Sequence, residues 1–209
     1  TTLEEGYENN PKNYDIVSAY GILLVEKGEF DKGIEVLQNG LALIDFDPEL
    51  FNYLGFAYWK KGEEQKALEN YRKALELDDR LAIVYSNLGA LYFSNFVRTE
   101  KRQDHAQSMD YFKKAIECDP QLALAYKGLG VCYKVAGRVD AAVSVWEKAS
   151  ELSPEDDFLA LSLGKAYLEI GNKTQALKYF ERYLSLAEHS ISPQERQKIE
   201  AYIQKCKQK

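Results

Sequence analysis

Five dipeptides, Tyr20-Gly21, Leu54-Gly55, Leu88-Gly89, Leu129-Gly130 and Leu163-Gly164, recur along the 209 residues with glycine-to-glycine steps of 34, 34, 41 and 34. A fixed period constrains the fold more tightly than composition does, because every unit must offer its neighbour the same packing surface. Three residues after each glycine stands Leu24, Tyr58, Tyr92, Tyr133 or Tyr167, and three before its partner stands Val17, Phe51, Tyr85, Tyr126 or Ala160. That spacing of three and four marks one face of a helix.

A second helix follows in each unit. Twelve residues past four of the glycines comes a small residue, Gly33, Ala67, Ala142 or Ala176, then a large one four further on (Leu37, Tyr71, Trp146, Phe180). The third unit carries the same series as Ser108, Phe112 and Ala115, displaced by 7 residues, which explains the step of 41. Turns are expected at Lys27-Gly28, Lys61-Gly62, Ala136-Gly137 and Ile170-Gly171, and breaks between units at Asp47-Pro48, Asp78-Asp79, Asp119-Pro120 and Ser153-Pro154. Small side chains let two antiparallel helices approach, and the large ones fill the wedge between one pair and the next. Neither helix buries its apolar face alone, so stability comes from stacking.

The series of aromatic, Leu-Gly, Tyr, Ala, Phe and Pro at 34-residue spacing resembles the tetratricopeptide repeat. The resemblance covers residues 14 to 190 as five units, 14–47, 48–81, 82–122, 123–156 and 157–190. It implies an all-α protein, a right-handed superhelical α-α solenoid of helix hairpins. The departures are Gly33 and Gly40 in the first unit, Ser108 in the third, and Tyr183 and Glu188 in the fifth. Residues 1–13 read as the tail of a preceding, truncated repeat or as an N-terminal cap, because Leu3, Gly6 and Pro11 stand in the frame of Phe112, Ala115 and Pro120. Residues 191–209 read as a C-terminal capping helix. Ser192-Pro193 marks its start, and Ile199, Tyr202, Ile203 and Cys206 share one stripe.

The resemblance also implies that the first helix of each pair lines a concave surface. Carried over residue by residue, the inward positions include Asn52, Phe56, Trp59 and Lys60 in the second unit and Ser86 and Phe93 in the third. Lys127, Val131 and Lys134 follow in the fourth and Lys165 in the fifth, and Leu124, Val135, Phe158, Leu161 and Leu168 fall in the same frame. Phe56, Trp59 and Phe93 lie off the stripe that holds the stack together. They serve either as anchors for a bound segment or as packing between neighbouring first helices. Lys127, Lys134 and Lys165 either attract a carboxylate or are solvated. Some relatives grip an acidic chaperone tail with Lys, Asn and Arg, and the basic members of that clamp are missing here. The insertion, residues 96–105, is expected as an intrarepeat loop or longer hairpin with Phe96 and Val97 over the top of the unit.

Composition closes off other classes. With 27 Lys+Arg against 33 Asp+Glu, net −6 and both signs interspersed, the chain offers no basic footprint for nucleic acid. No apolar run of bilayer length occurs, so no membrane insertion is expected. Cys118, Cys132 and Cys206, with His105 and His189, lack metal-ligand spacing. Gly128-Leu129-Gly130 lies inside a helix and is no phosphate loop. No cofactor, metal or enzymatic activity is expected. The expected function is a protein-protein interaction module, with a protein or peptide ligand along the concave face. A structural spacer or oligomerisation arm, or a regulatory or targeting domain attached to a catalytic N-terminal region, stays open beside it. A homo-oligomer, or contact with another domain of a longer parent chain, is the further partner expectation. Sparse cysteine favours a reducing compartment, hence a cytoplasmic location.

Overall fold

The computed structural model describes residues 2–208; Thr1 and Lys209, which end the lead-in and the C-terminal segment, lie outside the described residues. Every regular element among the described residues is an α-helix. The chain divides into two compact units, residues up to Leu91 and residues from Tyr92 onward, and the division falls within one helix.

The first unit holds α1 (Leu3–Asn9), α2 (Tyr14–Glu26), α3 (Phe30–Leu43), α4 (Pro48–Lys60), α5 (Glu64–Leu77) and the first part of α6 (Ala82–Thr99). Helices pair as α2 with α3 and α4 with α5. Each pair turns on a glycine in the left-handed region, Gly28 at φ 81° and Gly62 at φ 79°, which a side chain rarely tolerates. Asn13 and Asp47 accept hydrogen bonds from the first-turn amides of α2 and α4. Asp47 also accepts the Tyr14 hydroxyl, tying the start of one pair to the start of the next. Close approach depends on missing side chains: a Cβ at Gly55 would stand 2.7 Å from the Tyr71 ring. Val17, Tyr20, Leu24 and Val36 form a core that Tyr7 of α1 packs against.

The second unit holds the rest of α6, then α7 (Arg102–Cys118), α8 (Ala123–Val135), α9 (Val139–Leu152), α10 (Asp157–Glu169), α11 (Lys173–Leu186) and α12 (Pro193–Lys207). The turns repeat the device at Gly137 and Gly171. A Cβ at Gly130 would stand 2.2 Å from Trp146 Nε1, and that indole donates to the Lys127 carbonyl at 3.1 Å. The core runs through Trp146, Leu163 and Phe180 to Ile199, Ile203 and Cys206 of α12. Tyr202 stacks on Phe180 at 5.3 Å, and the Tyr183 hydroxyl donates to Glu195 at 3.0 Å.

The insertion takes the form of two longer helices and not of a loop. The α6 helix has 18 residues and α7 has 17, against 13 in α4 and 14 in α5, and only Glu100 and Lys101 separate α6 from α7. Five more residues in one helix and three in the other, with a turn shorter by one, account for the seven. The physical reason is that the inserted residues, which contain neither Gly nor Pro, continue the backbone hydrogen-bond ladder at less cost than a solvated loop. Glu100, at φ 57°, takes the left-handed position that glycine fills in the other turns. Pro120 and Pro154 lie in the breaks before α8 and α10, whereas Pro48 and Pro193 take the first helical position.

Candidate protein-interaction face

Asn52 and Ser86 are buried, 6% and 1% exposed, and so offer little side-chain surface to a ligand. Asn52 Oδ1 accepts the Asn87 Nδ2 hydrogen at 2.9 Å, so the amide is spent joining α4 to α6. Ser86 Oγ has no protein partner among the described residues. Phe56 and Trp59 are half-buried and meet edge to face at 6.0 Å, and Phe30 of α3 closes on Phe56 at 6.5 Å. Lys60 stays exposed with its ammonium 4.7 Å from the Trp59 ring centre and 5.1 Å from that of Phe56, a cation–π arrangement that screens both rings. In the first unit these side chains therefore contribute to packing as well as to surface.

In the second unit Phe93 is drawn into a cluster with Phe96 at 6.1 Å and His105 at 6.4 Å. His105 Nε2 donates to the Cys132 carbonyl at 3.0 Å, and Ser108 Oγ lies 3.3 Å from Cys132 Sγ. The Ser, His and Cys types meet here without the geometry of nucleophilic catalysis. The imidazole reaches a carbonyl, and burial pushes the Cys132 thiol up to about 11, so it is protonated at neutral pH.

Lys127 is committed to the fold. It donates to Asp156 at 2.7 Å, lies 4.9 Å from the Phe158 ring centre, and Asp156 in turn accepts the Leu159 amide as the N-cap of α10. Lys134 pairs with Glu169 at 2.7 Å, again linking α8 to α10. Val131 is half-buried against the core. Lys165 is exposed and lines a small cleft with Ser192, Gln194, Lys198 and Tyr202 at the start of α12.

Leu124, Val135 and Phe158 carry more open apolar surface than the aromatics singled out from sequence, at 47%, 52% and 40% exposed. Leu124 and Phe158 hold the position that Asp15 and Glu49 fill in the first two units. The signal was a change from acid to large apolar at one place in the repeat frame. Ring size off the packing stripe points to Trp59 and Phe93 instead. Together, the α8 and α10 face presents Leu124, Val135 and Phe158, crossed by two Lys–carboxylate bridges and ended by the unbridged Lys165. Such a face can bury apolar side chains of an extended or helical segment. Among the described residues no group of His, Cys, Asp and Glu is arranged to hold a metal ion, and no helix is long and apolar enough to cross a membrane.

The helix pairs, glycine contacts and turn geometry define a helical-repeat protein, and the sequence comparisons say which. The family described as TPR repeat matches residues 60–95, and that described as tetratricopeptide repeat matches residues 111–144 and 128–193. The structure of MamA is 30% identical, with a TM-score of 0.62 over 80% of this chain and 94% of that one. The chain belongs to the tetratricopeptide repeat family. TTC0263, a thermophilic TPR protein of Thermus thermophilus, shares the fold with a TM-score of 0.71 at 22% identity, covering 91% of this chain and 99% of that one. Among curated proteins, the antiviral innate immune response effector IFIT1 of Homo sapiens is 23% identical over 187 residues, 88% of this chain and 34% of IFIT1. This chain therefore spans about a third of the length of that relative. Repeats of this family serve in general as protein-interaction and scaffold modules.

Proposed function

We propose that this chain is a protein-interaction module that holds a peptide or helical segment of a partner protein against its first helices, with the principal contacts on α8 and α10. One observation carries the reading: Leu124, Val135 and Phe158 are exposed apolar side chains at first-helix positions, with Phe158 touching the Trp146 ring edge to face at 6.5 Å. Large apolar groups on a rigid surface are the usual anchors of an interface, because burying them releases water with little side-chain ordering. The bridged Lys127 and Lys134 keep the surface between them polar and fixed, which favours register over bulk adhesion.

The test is affinity capture from an extract of the source cells, comparing the wild-type chain with a Leu124→Glu/Phe158→Glu variant. Specific partners should drop about tenfold or more in the variant, with the helical content kept, because both side chains are more than a third exposed. Equal recovery by the two proteins rejects the reading. A structural spacer is the second reading, favoured by the burial of Asn52 and Ser86 and the internal use of Phe56 and Lys60 in the first unit. For that unit, Trp59→Ala should leave partner capture intact while lowering stability, the opposite of what the α8 and α10 substitutions do.

A further inference from the structure

The α6 and α7 extensions create a feature that the other helix pairs lack. Both helices run past the level at which a pair ordinarily turns, and the overhang faces the C-terminal end of α8. Between them lies an open cleft of about 800 Å³ walled by Phe96 and Val97 of α6, Ala106 and Met109 of α7, and Val135 of α8. Val97, at 65% exposed, and Val135, at 52%, form its two open apolar lips.

The floor is fixed. Phe96 packs on His105 with ring centres 4.7 Å apart, and His105 donates to the Cys132 carbonyl on α8 at 3.0 Å, so the cleft is present without a ligand. Its rim carries one acid and one base, with a further lysine between them, in a chain of net charge −6. Arg102 and Glu100 line the opening and Lys101 lies between them; no carboxylate stands within ion-pair distance of Lys101 or Arg102 among the described residues. Arg138, on the turn next to Val135, lies over the Tyr133 ring at 4.5 Å. Asp104 accepts the Thr99 hydroxyl and, with Glu100, is the acid set against Arg98, Lys101, Arg102 and Arg138.

The geometry points to this ledge as a second docking site, distinct from the α8 and α10 face that it adjoins at Val135, for a short partner segment with a large apolar side chain flanked by carboxylates. The apolar side chain fills the cleft between Val97 and Val135, while its acidic neighbours meet Lys101 and Arg102. Charge complementarity selects this class over a basic segment, which these cations would repel.

A phage-displayed library of random peptides, panned on the full chain, tests the assignment. The peptides it enriches are then made and titrated by fluorescence anisotropy against wild type and three variants: Val97→Glu, Lys101→Glu/Arg102→Glu and Leu124→Glu/Phe158→Glu. Enriched peptides that combine a large apolar residue with Asp or Glu are expected. Their affinity should fall about tenfold in each of the first two variants and with rising salt, and hold in the third. The ledge is overturned by a pool without such peptides, by basic ones, or by peptides lost only in Leu124→Glu/Phe158→Glu. That last outcome removes the ledge and leaves the first-helix face standing. Concentration-dependent self-association abolished by Val97→Glu also overturns it, assigning the cleft to a second copy of the chain.

Discussion

Glu100 occupies a left-handed backbone position, φ 57°, where Gly28, Gly62, Gly137 and Gly171 occupy theirs at φ 73–82°. An L side chain there costs about 1–2 kcal/mol from the crowding of Cβ against the carbonyl. Glu100→Gly should therefore raise the melting temperature by about 2–4 °C, while Gly62→Ala lowers it by a similar amount, both read by circular dichroism. The opposite order would mean that the turns are held by something other than backbone conformation. The glycine turns were legible in the sequence because only glycine satisfies that geometry cheaply. Glu100 was not, since no residue type signals a left-handed conformation forced by the helices on either side of it. The burial of Asn52 was equally hidden: its amide is satisfied by Asn87 on another helix, a pairing that spacing alone does not reveal.

At the level of elements, the crossing of α8 with α9 rests on Gly130 and Trp146. A methyl on Gly130 would fall 2.2 Å from the indole nitrogen, and the ring has little room to retreat because it donates to the Lys127 carbonyl. Gly130→Ala should destabilise the protein by about 1–3 kcal/mol in urea unfolding. Wild-type stability in that variant would show that the indole moves freely. The repeat frame made this contact legible, for small and large residues alternate at positions that must face each other. It also set the insertion at seven residues. Whether those residues form a loop or lengthen two helices depended on local propensity and on a surface for the longer helices to pack on, and the apolar and aromatic contacts of Phe96 with His105 supply part of that surface. The ledge follows from this lengthening, and the sequence left the loop and the longer hairpin open.

Across the molecule, helix pairs within each compact unit contact their neighbours in sequence, and stability should be correspondingly local. Ile203→Asp puts a charge into the seam between α12 and α11, where Ile203 is 8% exposed, Tyr202 stacks on Phe180 and Tyr183 bonds Glu195. Amide hydrogen exchange should accelerate first in α12 and α11, less in α10, and not in α2 to α5; uniform acceleration would indicate one cooperative block in place of a stack. The sequence by itself determined the family, the number of helix pairs and the four turns made on glycine, because period, small residues and turn glycines are local requirements repeated along the chain. Only the tertiary structure decided which first-helix side chains remain open. Exposure is settled by what the neighbouring helices leave uncovered: they claim Asn52, Ser86 and Lys127 for packing, capping and bridging, and leave Leu124, Val135 and Phe158 to solvent.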